Sequence, residues 1–204
     1  MRCGPELQEL GAERFAAELG QYIEVYAAAM NAPRIQLPGR RAIMEQHTGY
    51  PSFRAITVRA GAAGNGRPHA DSEQVIAFAY GFHGARGQWW HDLVRNALII
   101  THGGHTAEAW TADSFEIAEV HVRPDHQAHG IGQAMMLRLT DGRPERTSLL
   151  STPDADTRAR RLYHRLGFTD LLTGFNFAGT GPPYAVMGRP LPLREEPPGV
   201  VAAG

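Results

Sequence analysis

The 204-residue chain, 43% hydrophobic and 20% charged, has the make-up of an ordinary globular protein and is long enough to bury one substantial core. Its formal net charge of −1, with no dense Lys/Arg stripe, excludes the electrostatic footprint of a nucleic-acid binder. No apolar run approaches the roughly 20 residues that span a bilayer, so no membrane partner is expected. The single cysteine, Cys3, rules out an internal disulfide, and the N-terminal stretch carries charges where a signal peptide needs an apolar core, so a cytoplasmic protein is expected.

Residues 11–30 place Phe15, Leu19, Tyr22, Ile23 and Tyr26 at three- and four-residue spacings, which predicts a first helix. A second, shorter helix follows, with Pro38 suited to its first turn and Gly49 to its end. The period then shortens to two: RAITVRA and QVIAFAYGF read as a hairpin whose connection, GAAGNGRPHADS, is expected to be a long mobile loop. An insertion at about 84–114 has no clear assignment, although residues 89–100 fit a helix with Trp90, Leu93, Val94 and Ala97 on one side. Its HGGH segment reads as a glycine-rich loop, and without a nearby cysteine no metal site is expected. SFEIAEVHVRP predicts a strand, residues 131–140 a helix, TSLLST a strand and DADTRARRLYHRLG an amphipathic helix, started by Asp or Thr and ended at Gly167. FTDLLTGFNF and AVMGRPL read as closing strands. The expected organisation is one domain over residues 1–189 and a disordered tail over 190–204, with no internal repeat.

The turn QAHGIG between strand and helix stands out. A helix that starts immediately after a glycine turn presents N–H groups without intrahelical acceptors at the positive end of its dipole, and glycines at 130 and 132 keep side chains away from them. That is a cradle for a phosphorylated ligand, although Gly-x-Gly alone also describes a plain turn.

Context separates the two readings. VHVRPDHQAHGIG, with Val120, Val122, Gln127, Gly130 and Gly132, and then DTRARRLYHRLGF resemble, in order and spacing, the two motifs of the GCN5-related N-acetyltransferase (GNAT) superfamily. The specific resemblance covers residues 115–168. It implies an α/β (α+β) fold: a central mixed, mostly antiparallel sheet, splayed at strands 4 and 5 and flanked by helices. It also implies an acyl-CoA-dependent N-acyltransferase that takes acetyl-CoA as co-substrate and needs no metal. Backbone groups of Val120, His121 and Val122 would pair with the pantetheine arm, and Gln127, Ala128, His129, Gly130, Ile131, Gly132 and Gln133 would surround the diphosphate. Asp156 stands where the family commonly has a pantetheine-binding Asn, and a carboxylate cannot donate the hydrogen bond an amide can. Since the turn itself lacks arginine, Arg138, Arg158 and Arg161 are the candidates to supply charge, although arginines on an amphipathic helix more often form a solvated surface.

For the chemistry, Phe115, Ile117, Glu119 and His121 alternate onto one face of the strand, so Glu119 is expected beside apolar side chains with its pKa raised. Its position matches one where the family places a general base; Ser151 and His121 are weaker candidates. Tyr163 matches the family's general-acid tyrosine, although by spacing alone it joins Ala159, Leu162 and Leu166 in a core stripe. Trp90 and Asp92 are expected at the acceptor site. The acceptor is expected to be a small-molecule amine attacked directly, with a protein N-terminus or lysine, or a non-catalytic acyl-CoA-binding role, as alternatives. A homodimer fits the closing strands of such a fold.

Overall fold

A computed structural model describes residues 6–60, 74–177 and 181–193. The segments 61–73 and 194–204, which contain the expected mobile loop and most of the expected disordered tail, lie outside the described residues.

Strand β1 (Leu7–Leu10) leads into helices α1 (Ala12–Ala17) and α2 (Leu19–Met30), a short 3-10 turn and helix α3 (Leu37–Thr48). The predicted first helix is thus two helices. The break falls at Glu18, whose backbone leaves helical geometry (φ −102°, ψ 7°) while its carboxylate accepts from Tyr22 Oη–H and from the Arg59 guanidinium. Strands β2 (Arg54–Ala60) and β3 (Gln74–His83) follow, then α4 (Trp89–His102) and α5 (Gly104–Thr111). The HGGH segment is therefore a helix-to-helix corner turned at Gly103 (φ +84°), and His105 stands in a helix where sequence periodicity suggested a loop. Strand β4 (Ser114–Val122), helix α6 (Ile131–Thr140), strand β5 (Thr147–Pro153), helix α7 (Arg158–Arg165) and strands β6 (Thr169–Phe175) and β7 (Tyr184–Pro190) complete the order.

The strands form one seven-stranded sheet in the order β1-β2-β3-β4-β5-β7-β6, antiparallel throughout except for the parallel β4–β5 pair. Alternation along the strands feeds two faces. Ile56, Ala79, Phe115, Leu150 and Met187 pack under α6 and α7 with Met135, Met136 and Tyr163. On the opposite face, Ala55, Phe78 and Tyr80 pack under α1 and α2, where Phe15 stacks on Tyr22 with ring centroids 4.4 Å apart. Farther along the same face, Val186 and Leu172 pack under α4 and α5. Helix α7 starts as its sequence predicts: Thr157 Oγ1 accepts from the backbone N–H of Arg160 at 3.1 Å, closing one orphan donor.

Candidate active site

β4 and β5 are hydrogen-bonded neighbours only at Ser114↔Thr147, Phe115↔Ser148 and Glu116↔Leu149. Beyond these, β4 stays paired with β3 out to Val122 and β5 with β7 out to Pro153. The two strands diverge into a wedge, leaving the β4 edge from Ile117 onward without a strand partner on that side among the described residues. Such an edge offers N–H and C=O groups that need an acceptor and a donor.

A bulge in β4 underlies the divergence. Tyr80 faces Glu119, yet Gly81 faces Ile117, so Ala118 is an extra residue; an insertion of this kind bends the strand and increases its twist. Only glycine fits opposite it, because a Cβ on Gly81 would stand 2.5 Å from the Glu116 carbonyl oxygen and 2.7 Å from the Phe115 ring.

The bulge also overturns the predicted alternation. Phe115 and Ile117 lie on the α6/α7 face, whereas Glu119 and His121 point to the opposite face, under α2 and α3. There Glu119 is 9% exposed; Oε1 accepts from Arg40 Nη1 at 2.8 Å and Oε2 bonds His121 Nε2 at 2.5 Å. The Arg40 guanidinium lies 4.9 Å from the Tyr26 ring centroid, and His121 meets that ring edge-on at 5.1 Å. Burial alone would raise the Glu119 pKa, as expected from the sequence. Instead the His121 charge and hydrogen bond, with the Arg40 guanidinium, hold it below the usual carboxylate range, so it is an anion at neutral pH. Beside it, His47 Nδ1 contacts Tyr80 Oη at 2.9 Å. Burial pushes the His47 pKa down to about 4, which leaves the ring neutral and Nδ1 free to accept from the tyrosine hydroxyl.

Tyr163 lies on the other face of the sheet, in the cluster under α6 and α7. It is 7% exposed, packed near Phe168, and burial followed by the Glu119 charge raises its pKa, so the hydroxyl keeps its proton.

At the wide end of the wedge the chain makes a short 3-10 turn (Pro124–His126) and enters α6 at Gly130 in the left-handed region (φ +77°), with no side-chain cap. The N–H groups of Ile131, Gly132 and Gln133 are thus left for an outside acceptor. A Cβ on Gly130 would meet nothing within 4 Å, so space is open beside that residue; a Cβ on Gly132 would stand 3.3 Å from Leu162 Cδ2, which makes that glycine a point of close packing between α6 and α7. Gln127 ties the turn together. Its Nε2 donates to the Val122 carbonyl at 3.0 Å and its Oε1 accepts from Arg158 at 3.3 Å.

These features are matched elsewhere. Residues 72–170 match the model of the acetyltransferase (GNAT) domain. A GCN5-like protein acetyltransferase of Mycobacterium tuberculosis is 38% identical over 190 residues, covering 86% of this chain and 92% of that protein. The chain belongs to the GNAT family. It is accordingly an acyl-CoA-dependent acetyltransferase, and the non-catalytic alternative is set aside. The GNAT fold is shared with an acetyltransferase of Thermus thermophilus (TM-score 0.56, 15% identity, 93% of this chain and 98% of that one). It is shared too with an acetyltransferase of Salmonella typhimurium solved with its cofactor acetyl-CoA (TM-score 0.53, 17% identity, 96% and 98%).

Val120, His121 and Val122 lie on the stretch of β4 beyond its pairing with β5, and residues 128–133 lie on the turn into α6 and its first turn. Arg158 contacts the turn through Gln127, and Arg123 leads into it; Arg138 sits at the far end of α6 with Glu9 and Asp141. Asp156 is exposed and its carboxylate is bound by Arg161 at 2.6 Å. Trp90 and Asp92 are not brought to Glu119. Trp90 packs in the α4/α5 cluster, and Asp92 Oδ2 accepts from the Gly87 N–H at 3.0 Å in the loop before α4. Ser151 lies in β5 opposite Val186. Sequence reading missed Tyr26, Arg40, His47 and Tyr80, which surround Glu119 from α2, α3 and β3.

Proposed function

We propose that this acetyltransferase moves an acetyl group from acetyl-CoA to a primary amine on a small molecule, with Glu119 as general base and Tyr163 as general acid. The observation that carries the reading is the wedge itself: an ionised carboxylate on one face of the sheet and a protonated phenol on the other flank the same unpaired stretch of β4. The backbone of Val120, His121 and Val122 along that edge suits an extended amide-bearing arm. The free N–H groups of Ile131, Gly132 and Gln133, which follow the open space at Gly130, suit a diphosphate. The co-substrate supplies a thioester carbonyl already activated toward amines.

An alkylamine is protonated at pH 7, and releasing that proton costs roughly 4–5 kcal/mol. Glu119 accepts it, directly or through one water, while His121 keeps the carboxylate oriented. As the nitrogen–carbon bond forms and the carbon–sulfur bond breaks, Tyr163 Oη–H protonates the leaving sulfur, and the second proton shed by the new amide nitrogen restores the tyrosine hydroxyl. No covalent enzyme intermediate is required, and orientation of the two reactants along β4 supplies much of the rate.

A protein amine is the second reading, favoured by the name of the mycobacterial relative, a protein acetyltransferase. Thiol release from acetyl-CoA, followed across a set of small amines with mass spectrometry of the products, tests the first reading. Release with an acetylated amine is expected. Release only when polypeptides are supplied would shift the acceptor to protein, and none with either would overturn the proposal.

A further inference from the structure

Both oxygens of Glu119 are occupied, and Arg40 occupies one of them from the solvent side: its side chain is 34% exposed against 9% for the glutamate. Any amine that uses this base from that side must take Arg40's place. A plain alkylammonium would do so at a penalty, leaving a guanidinium without its counter-ion next to a second cation in a site also faced by Tyr26, His47, Tyr80 and His121. An amine that carries its own carboxylate avoids the penalty by exchanging partners: its ammonium takes Glu119 and its carboxylate takes the guanidinium. Arg40 is suited to this role. Its Nη1 is engaged by Glu119 while the planar group rests against Tyr26, and a guanidinium has a fork of further N–H donors that matches a carboxylate.

We infer that the acceptor is an amine bearing a neighbouring carboxylate, and that Arg40 is the residue that selects it by releasing Glu119 to the amine and binding the acid. This rests on the proposed role of Glu119. The same chemistry occurs in a free amino acid and in a polypeptide that begins with an acidic residue.

The test compares initial rates of thiol release for amino acids against their carboxamides, and for C-terminally amidated peptides that begin with Glu against those that begin with Gln. In at least one series the acid is expected to exceed its amide by about tenfold or more in kcat/KM, the scale of one charge-assisted contact. Preference confined to the free amino acids identifies a metabolite acceptor; preference confined to the peptides identifies a polypeptide. Arg40→Gln should abolish the preference and Arg40→Lys should restore part of it, with stabilisation by acetyl-CoA retained in both as the check on folding. Equal rates for acids and amides, a preference that survives Arg40→Gln, or no turnover of any carboxylated amine overturns the inference. Loss of acetyl-CoA stabilisation in the unaltered protein would instead overturn the proposed function beneath it.

Discussion

Glu119 is ionised because of what surrounds it, and that sets how each neighbour should behave on substitution. Glu119→Gln keeps the shape and removes the proton acceptor, so turnover should fall by roughly 10²–10⁴-fold, the usual worth of a general base; initial rates near wild type would remove it from the chemistry. Tyr163→Phe should lose turnover similarly while acetyl-CoA still binds, which separates an acid from a packing residue. His47 makes a pH prediction. Its pKa is lowered from 6.5 to about 4 in the folded protein, so the unfolded chain binds the extra proton between those values. The contribution to stability is therefore complete above pH 6.5 and is lost as pH falls toward 4, by up to roughly 3 kcal/mol. Denaturation midpoints measured across that range should slope downward toward acid in the wild type and flatten in His47→Gln; parallel slopes would contradict the assignment. Glu119, with its pKa depressed below 4.5, loses its contribution only at still lower pH. At this scale the resemblance to the family pointed to Glu119 and Tyr163 as candidates, but nothing in the sequence pointed to Arg40, which lies 79 residues from its partner. The sequence also misled on the sign of the Glu119 shift, because burial can be read from an apolar strand while compensating charges from another helix cannot.

The element that organises the site is β4 with its bulge. Period-two reading assigns the strand correctly and then fails at Ala118, because one inserted residue transfers Glu119 and His121 to the other face without any change in composition. Gly81 is the only nearby sign, and its meaning depends on a strand pairing that the sequence does not display. Gly81→Ala should cost about 1–3 kcal/mol, as overpacking against backbone usually does, and should weaken acetyl-CoA binding by disturbing the wedge; unchanged stability and affinity would contradict the tight fit. Gly130→Ala probes the cradle. Its Cβ meets no protein atom, so the stability loss should be limited to the roughly 1–2 kcal/mol of a left-handed residue. Calorimetric titration should reveal an additional loss of acetyl-CoA affinity, because that Cβ would enter the space assigned to the diphosphate.

Across the whole molecule, one sheet places two sets of side chains on its two faces. α6 and α7 bring the cradle and Tyr163; α2 and α3 bring the ring of groups around Glu119; the wedge between β4 and β5 joins the two sides. Most strands and the motif helices were legible because their periodicities are local, whereas the splayed sheet was expected from the resemblance to the GNAT motifs and not from the periodicities. Of the α4–α5 insertion, the helix over 89–100 was legible but its packing was not: its apolar residues pack on β6 and β7, strands that come later in the chain, so nothing near residues 84–114 reveals what they face. The insertion's helices cover the continuation of the face that holds Glu119. Whether the wedge holds the thioester arm is decided by the thermal unfolding midpoint with acetyl-CoA, against adenosine diphosphate as a phosphate-only control. At about 100 times its dissociation constant acetyl-CoA should add roughly 2.7 kcal/mol, a rise of several degrees in Tm, well beyond any effect of the diphosphate; no rise at millimolar acetyl-CoA, or an equal rise with adenosine diphosphate, would contradict a wedge built for the thioester arm.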